Sequence, residues 1–61
     1  MDDCVVKART KLIMVLVEEL RLNTRRVTEV VNDVFNKFPN ILPLTESGIK
    51  STVHRERHRA N

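Results

Sequence analysis

The chain has 61 residues, with 11 Lys and Arg against 8 Asp and Glu, and a formal net charge of +3. A chain of this length forms one domain, residues 1–61, and folding buries only about 60% of its surface, so a deep catalytic cleft is not expected. The single cysteine, Cys4, cannot form an internal disulfide, and no Cys/His set offers a structural metal in its place. We therefore expect a protein that is not an enzyme and has no cofactor, metal or small-molecule substrate.

Neither a membrane span nor an export signal is expected. The longest uninterrupted apolar stretch, residues 12–17, is far shorter than the roughly 20 residues that cross a bilayer. The N-terminus begins with Asp2 and Asp3 where a secretory signal would be basic. We expect an intracellular protein, nuclear in a eukaryote and cytoplasmic otherwise, and the lone cysteine fits a reducing compartment.

The first predicted helix covers residues 3–22. Asp2 and Asp3 can cap it, because carboxylates are favoured at a helix N-terminus. Apolar residues then keep helical spacing, and the expected core positions include Ile13, Leu16, Val17 and Leu20. Met14 and Val15 widen the apolar surface beyond what one small core requires, which predicts a protein interface at these two residues.

The second predicted helix covers residues 24–38, with Asn23 or Thr24 as its cap. Its apolar residues follow an i, i+3, i+4, i+7, i+8, i+11 pattern, which is typical of an amphipathic helix. We expect Val31, Val34 and Phe35 to lie in the core. Pro39 should end the helix, since the residue before a proline is driven out of α geometry.

The third predicted helix covers residues 45–59 and begins at Thr45. Leu44 and Ile49 flank this N-cap in the arrangement of a hydrophobic staple. The connector before it is rich in apolar residues, so we expect it to pack on the helices. Together the three segments predict an all-α fold, a small three-helix bundle.

Little in the sequence indicates catalysis or metal binding. His54 and His58 stand at i, i+4, but two histidines form an incomplete metal site. The adjacent acids, such as Glu18 and Glu19, diverge by about 100° on a helix and cannot form one acid–base couple. We therefore expect no catalytic residue and no metal ligand.

Arg25 and Arg26 occupy the first turn of the second helix, where cations oppose the helix dipole. Two interpretations are open. Glu29 and nearby acids neutralise the two arginines, or the arginines face an anionic partner such as a DNA backbone.

The third helix carries most of the basic charge. Residues 50–61 contain Lys50, Arg55, Arg57 and Arg59 against Glu56 alone, a net +3 that equals the charge of the whole chain. Such a patch favours partners that bear phosphate or acidic groups.

The run from Thr45 to Arg59 resembles the recognition helix of helix-turn-helix DNA-binding domains, which often read Gly-Ile-x-x-x-Thr-Val-x-Arg. Gly48-Ile49 and Thr52-Val53-His54-Arg55 match this pattern in kind, with one residue fewer between them. The likeness covers residues 27–59, although the connector at 36–44 is longer than the tight turn of that family. Residues 42–57 also look like the helix after some FLYWCH-type zinc fingers, without the finger's metal ligands.

The resemblance implies double-stranded DNA as the partner and a role in transcription regulation or a similar process. A helix with one buried edge fits the major groove. The residues expected to project from its outward side are Ser47, Lys50, Ser51, His54 and Arg57. The residues expected to clamp phosphates are Arg55, Arg59, Arg25 and Arg26. The alternative is a protein-interaction module, a homodimer or a complex with a helical partner, formed through Met14 and Val15.

Overall fold

A computed structural model describes residues 3–38 and 41–59 and shows three α-helices. These are α1 (Asp3–Met14), α2 (Thr24–Phe35) and α3 (Glu46–Arg59), and a π-helical turn (Val15–Glu19) continues α1. The three helices pack on one another, which confirms the predicted all-α three-helix fold. The proposed cap Asp2, the side chain of Asp3 and the helix-ending Pro39 lie outside the described residues.

The first helix departs from regular α geometry eight residues before its predicted end. In the π-helical turn the Leu20 N–H donates to the Val15 carbonyl at 3.2 Å, and the Leu22 N–H donates to the Leu16 carbonyl at 3.1 Å. Arg21 then adopts a left-handed conformation (φ 57°), a common way for a chain to leave a helix. The wider turn changes which residues face the core. Leu16 is buried, whereas Leu20, expected in the core, is 61% exposed, so that prediction is wrong.

The second helix begins at the predicted cap and ends three residues early. The Asn23 side chain accepts a hydrogen bond from the Arg26 backbone N–H at 2.8 Å. Val27, Val31 and Phe35, spaced four residues apart, are all buried. Val34 is 43% exposed, so its predicted core position is wrong. It lies about 100° around the helix from Phe35, at the edge of the stripe that faces the other helices.

The connector between α2 and α3 packs only in part. Ile41 and Leu44 pack against the core, whereas Leu42 is 81% exposed. Asn32 holds the connector to α2 through two hydrogen bonds: its amide nitrogen donates to the Leu44 carbonyl (2.8 Å), and its carbonyl oxygen accepts from the Leu44 N–H (2.9 Å). These bonds fix the point at which the chain enters α3.

The predicted cap of α3 is confirmed. The Thr45 hydroxyl accepts a hydrogen bond from the Gly48 N–H at 3.1 Å, which satisfies one of the unpaired donors of the first turn. Ile49, Thr52 and Val53 are buried against the other two helices. The Thr52 hydroxyl donates to the Gly48 carbonyl at 2.9 Å, so its polar atom is satisfied inside the helix. The buried edge is narrow, and most of the α3 surface remains accessible.

Candidate nucleic-acid interface

The side of α3 that is turned away from the core carries short polar and basic side chains. At about 100° per residue, Ser47, Lys50, Ser51 and His54 lie roughly opposite the buried edge, and all four are exposed. The His58 ring lies 4.3 Å from the His54 ring on the same side. We refer to these five residues as the outward face of α3. It contains no carboxylate, so an anionic partner meets no repulsion from the face itself.

One edge of the outward face is tied to the end of the first helix. Arg57 Nε donates to Glu18 Oε1 at 2.8 Å, and both side chains are largely exposed. Arg57 therefore lies at the edge of the outward face, and its side chain reaches toward the end of the first helix. A shallow groove on this edge is lined by residues of the π-helical turn, the connector after it, the start of α2 and α3: Val17, Leu22, Thr24, Ile49, Lys50, Val53, His54 and Arg57.

The other edge of the outward face borders α1. Arg55 and Arg59 each lie 3.8 Å from the Glu56 carboxylate. Across from them stand Lys7 and Lys11, one helical turn apart on α1. The space between the two helices, here called the α1–α3 groove, is lined by Val6, Lys7, Thr10, Lys11, Met14, Arg55, Glu56 and Arg59.

Sequence reasoning missed Lys7 and Lys11. The signal was available in their i, i+4 spacing, which places two cations on one face of a helix. The sequence did not show that this face of α1 lies beside the basic end of α3, because that proximity depends on how the two helices pack.

Arg25 and Arg26 are paired at the start of α2. Arg26 Nη1 donates to Glu29 Oε2 at 3.2 Å, and Arg25 Nε lies 3.9 Å from Glu29 Oε1. Glu29 thus pairs with both arginines, as the first interpretation predicts. Both pairs are exposed, and exposed pairs are weak, so a phosphate contact at Arg25 and Arg26 stays a prediction.

The predicted protein interface is divided between two surfaces. Met14 packs against the core and lines the α1–α3 groove. Val15 is 40% exposed on another side of the helix, because adjacent residues diverge by about 100°. The two residues therefore do not form one continuous apolar patch.

Within residues 3–38 and 41–59, no three His, Cys, Asp or Glu side chains are grouped so that they could hold a metal ion. No helix in this described part of the chain is long and apolar enough to cross a membrane.

Comparison with known proteins found no matching family model, no similar curated protein and no similar solved structure. The fold and the site thus define a small three-helix protein with a basic, largely exposed third helix. Any functional assignment rests on the residues of that helix and their surroundings.

Proposed function

We propose that the protein is a non-catalytic DNA-binding module that places α3 in the major groove of duplex DNA. The observation that carries the proposal is the composition of α3 around its axis. Its outward face is exposed, free of acids and carries Lys50, and arginines line both of its edges: Arg57 on one, Arg55 and Arg59 on the other. This arrangement fits a helix that lies in the major groove, with a sugar-phosphate backbone on each side.

The dimensions agree with this arrangement. A helix with its side chains is about 10–12 Å across, and the major groove is about 12 Å wide. Only a narrow edge of α3 is buried, at Ile49, Thr52 and Val53, so the outward face is accessible to a partner.

The roles of the side chains follow from their chemistry. Lys50 is a donor suited to the O6 and N7 acceptors of guanine, and the short side chains of Ser47 and Ser51 allow close approach to base edges. Arginines at the edges contact phosphates, which fixes the position of the helix and supplies affinity that depends on salt.

The ion pairs within the protein do not prevent these contacts. Arg57 pairs with Glu18, and Arg59 pairs with Glu56, but the arginine side chains are 59% and 79% exposed. An exposed pair such as Arg57–Glu18 contributes only about 0–1 kcal/mol, so a phosphate can replace the Glu18 carboxylate at small cost. Arg55 and Arg59 share the single Glu56 carboxylate, each at 3.8 Å, which leaves guanidinium donors of both arginines for a phosphate.

Titration of the isotopically labelled protein with a short generic duplex, followed by NMR, tests the proposal. We expect the largest amide shift changes at Ser47, Lys50, Ser51 and His54. Asp33 on α2 and Asn36 directly after it are both exposed, and their amides provide an internal control that should change little. Shift changes that are absent at low salt, or that concentrate on α2, would contradict the proposal.

A second candidate function, self-association through the first helix, is favoured by the exposure of Val15 (40%) and Leu20 (61%). Exposed apolar side chains on a small protein often mark an interface, and a two-fold contact is the simplest way to cover them. We expect a concentration-dependent dimer in sedimentation experiments and its loss in Val15→Lys. If the parent sediments as a monomer at every concentration, this second function is ruled out.

A further inference from the structure

The α1–α3 groove concentrates positive charge at the edge of the outward face. Four cations line it, Lys7 and Lys11 from α1 and Arg55 and Arg59 from α3, against the carboxylate of Glu56. Glu56 is largely buried at 22% exposure and is shared by the two arginines, each at 3.8 Å. The lysines are exposed. Among residues whose side chains the structure describes, neither lysine forms an ion pair.

We propose that one DNA strand binds in the α1–α3 groove, so that Lys7 and Lys11 contact its phosphate backbone beside α3. This inference rests on the proposed function and names a contact surface on a helix that the recognition-helix pattern does not include. With α3 in the major groove, one wall of that groove lies against Arg55 and Arg59. The phosphates of that wall then face α1.

The spacing of the cations suits a linear polyanion. Lys7 and Lys11 are one turn apart, as are Arg55 and Arg59, so each pair spans about 6 Å along its helix axis. The two pairs form the opposite sides of one channel. A chain of phosphates placed between them meets a cation on either side.

The apolar residues of the groove are compatible with this occupant. Val6 and Met14 are half-buried and line the same groove as the cations. Long basic side chains cover such apolar surface with their methylene stems and keep their charges in water. Val6 and Met14 therefore need no apolar partner of their own.

The two edges of α3 should contribute unequally to the affinity for DNA. Arg57, on the edge opposite the α1–α3 groove, makes the shortest ion pair of the described residues, 2.8 Å to Glu18. On the α1 side, the two lysines are exposed and one carboxylate is divided between two arginines. The side of α3 that faces the α1–α3 groove is therefore the more electropositive one and the better binding site for a DNA strand.

The test measures duplex binding as a function of salt by fluorescence anisotropy, with a short labelled generic duplex as the probe. The variants are Lys7→Gln, Lys11→Gln and the double variant. Lys37→Gln, which removes an exposed cation at the end of α2, is the matched control. Each phosphate contact contributes roughly −0.9 to the slope of log affinity against log salt, so the double variant should flatten the slope by about 1.8. Lys37→Gln should leave it unchanged.

The outcomes separate this inference from the function on which it rests. If the parent shows no salt-dependent binding, the proposed DNA-binding function fails, and this inference fails with it. If the parent binds but the double variant keeps the parent slope, DNA binding stands and only the binding of a strand in the α1–α3 groove is ruled out. The groove would then face another partner, such as an acidic protein segment. If Lys37→Gln flattens the slope as much as Lys7→Gln or Lys11→Gln does, the slope depends on total charge only. Binding of a strand in the α1–α3 groove is then ruled out as well.

Discussion

Phe35→Ala is expected to lower the free energy of unfolding by about 3–5 kcal/mol. Phe35 is buried at the end of the Val27–Val31–Phe35 stripe, and its ring lies 5.6 Å from that of Phe38. Truncation removes apolar burial and leaves a cavity that a small core cannot fill by rearrangement. At about 0.05–0.15 kcal/mol per residue, a chain of this size has about 3–9 kcal/mol of stability in total. The variant should therefore lose a large part of its stability and unfold at a much lower urea concentration than the parent, as measured by circular dichroism.

Val34→Ala provides the matched control on the same turn of α2. Val34 is 43% exposed, so its truncation should cost less than about 1 kcal/mol. The two variants together test where the core stripe runs. If Phe35→Ala unfolds cooperatively at the parent's urea concentration, or if Val34→Ala is the more destabilised of the two, the described packing of α2 is wrong.

Much of the fold could be predicted because local chemistry determines it. The caps Asn23 and Thr45 and the apolar spacing of α2 each act within a few residues, and each is present in the structure. The end of the first helix could not be predicted in this way. Residues 12–17 are apolar in every direction, so the pattern alone does not select which side faces the core. The π-helical turn makes that selection, burying Leu16 and exposing Leu20.

The candidate site divides along the same line. The outward face of α3 follows from the sequence, because residues on one helix have fixed angular relations. The pairing of Arg57 with Glu18 and the approach of Lys7 and Lys11 to Arg55 and Arg59 join residues far apart in the chain. Those relations depend on how the helices cross. The pairing of Arg25 and Arg26 with Glu29 is local, and the sequence offered it as one of two interpretations.

The claim that α3 binds duplex DNA predicts a large effect from the removal of its three edge arginines. The variant Arg55→Gln/Arg57→Gln/Arg59→Gln should flatten the slope of log affinity against log salt by up to about 2.7, since each phosphate contact contributes roughly 0.9. Between about 50 and 200 mM salt, the parent would then lose up to about 40-fold more affinity than the variant. The three side chains are exposed, so the fold should persist, with an unfolding curve close to that of the parent.

The most direct measurement is therefore this pair of salt titrations, parent against triple variant, with Lys37→Gln as the control for loss of charge elsewhere. If α3 binds duplex DNA, the slope is steep for the parent, nearly unchanged for Lys37→Gln and much shallower for the triple variant. A triple variant that is folded and keeps the slope of the parent would contradict DNA binding by α3.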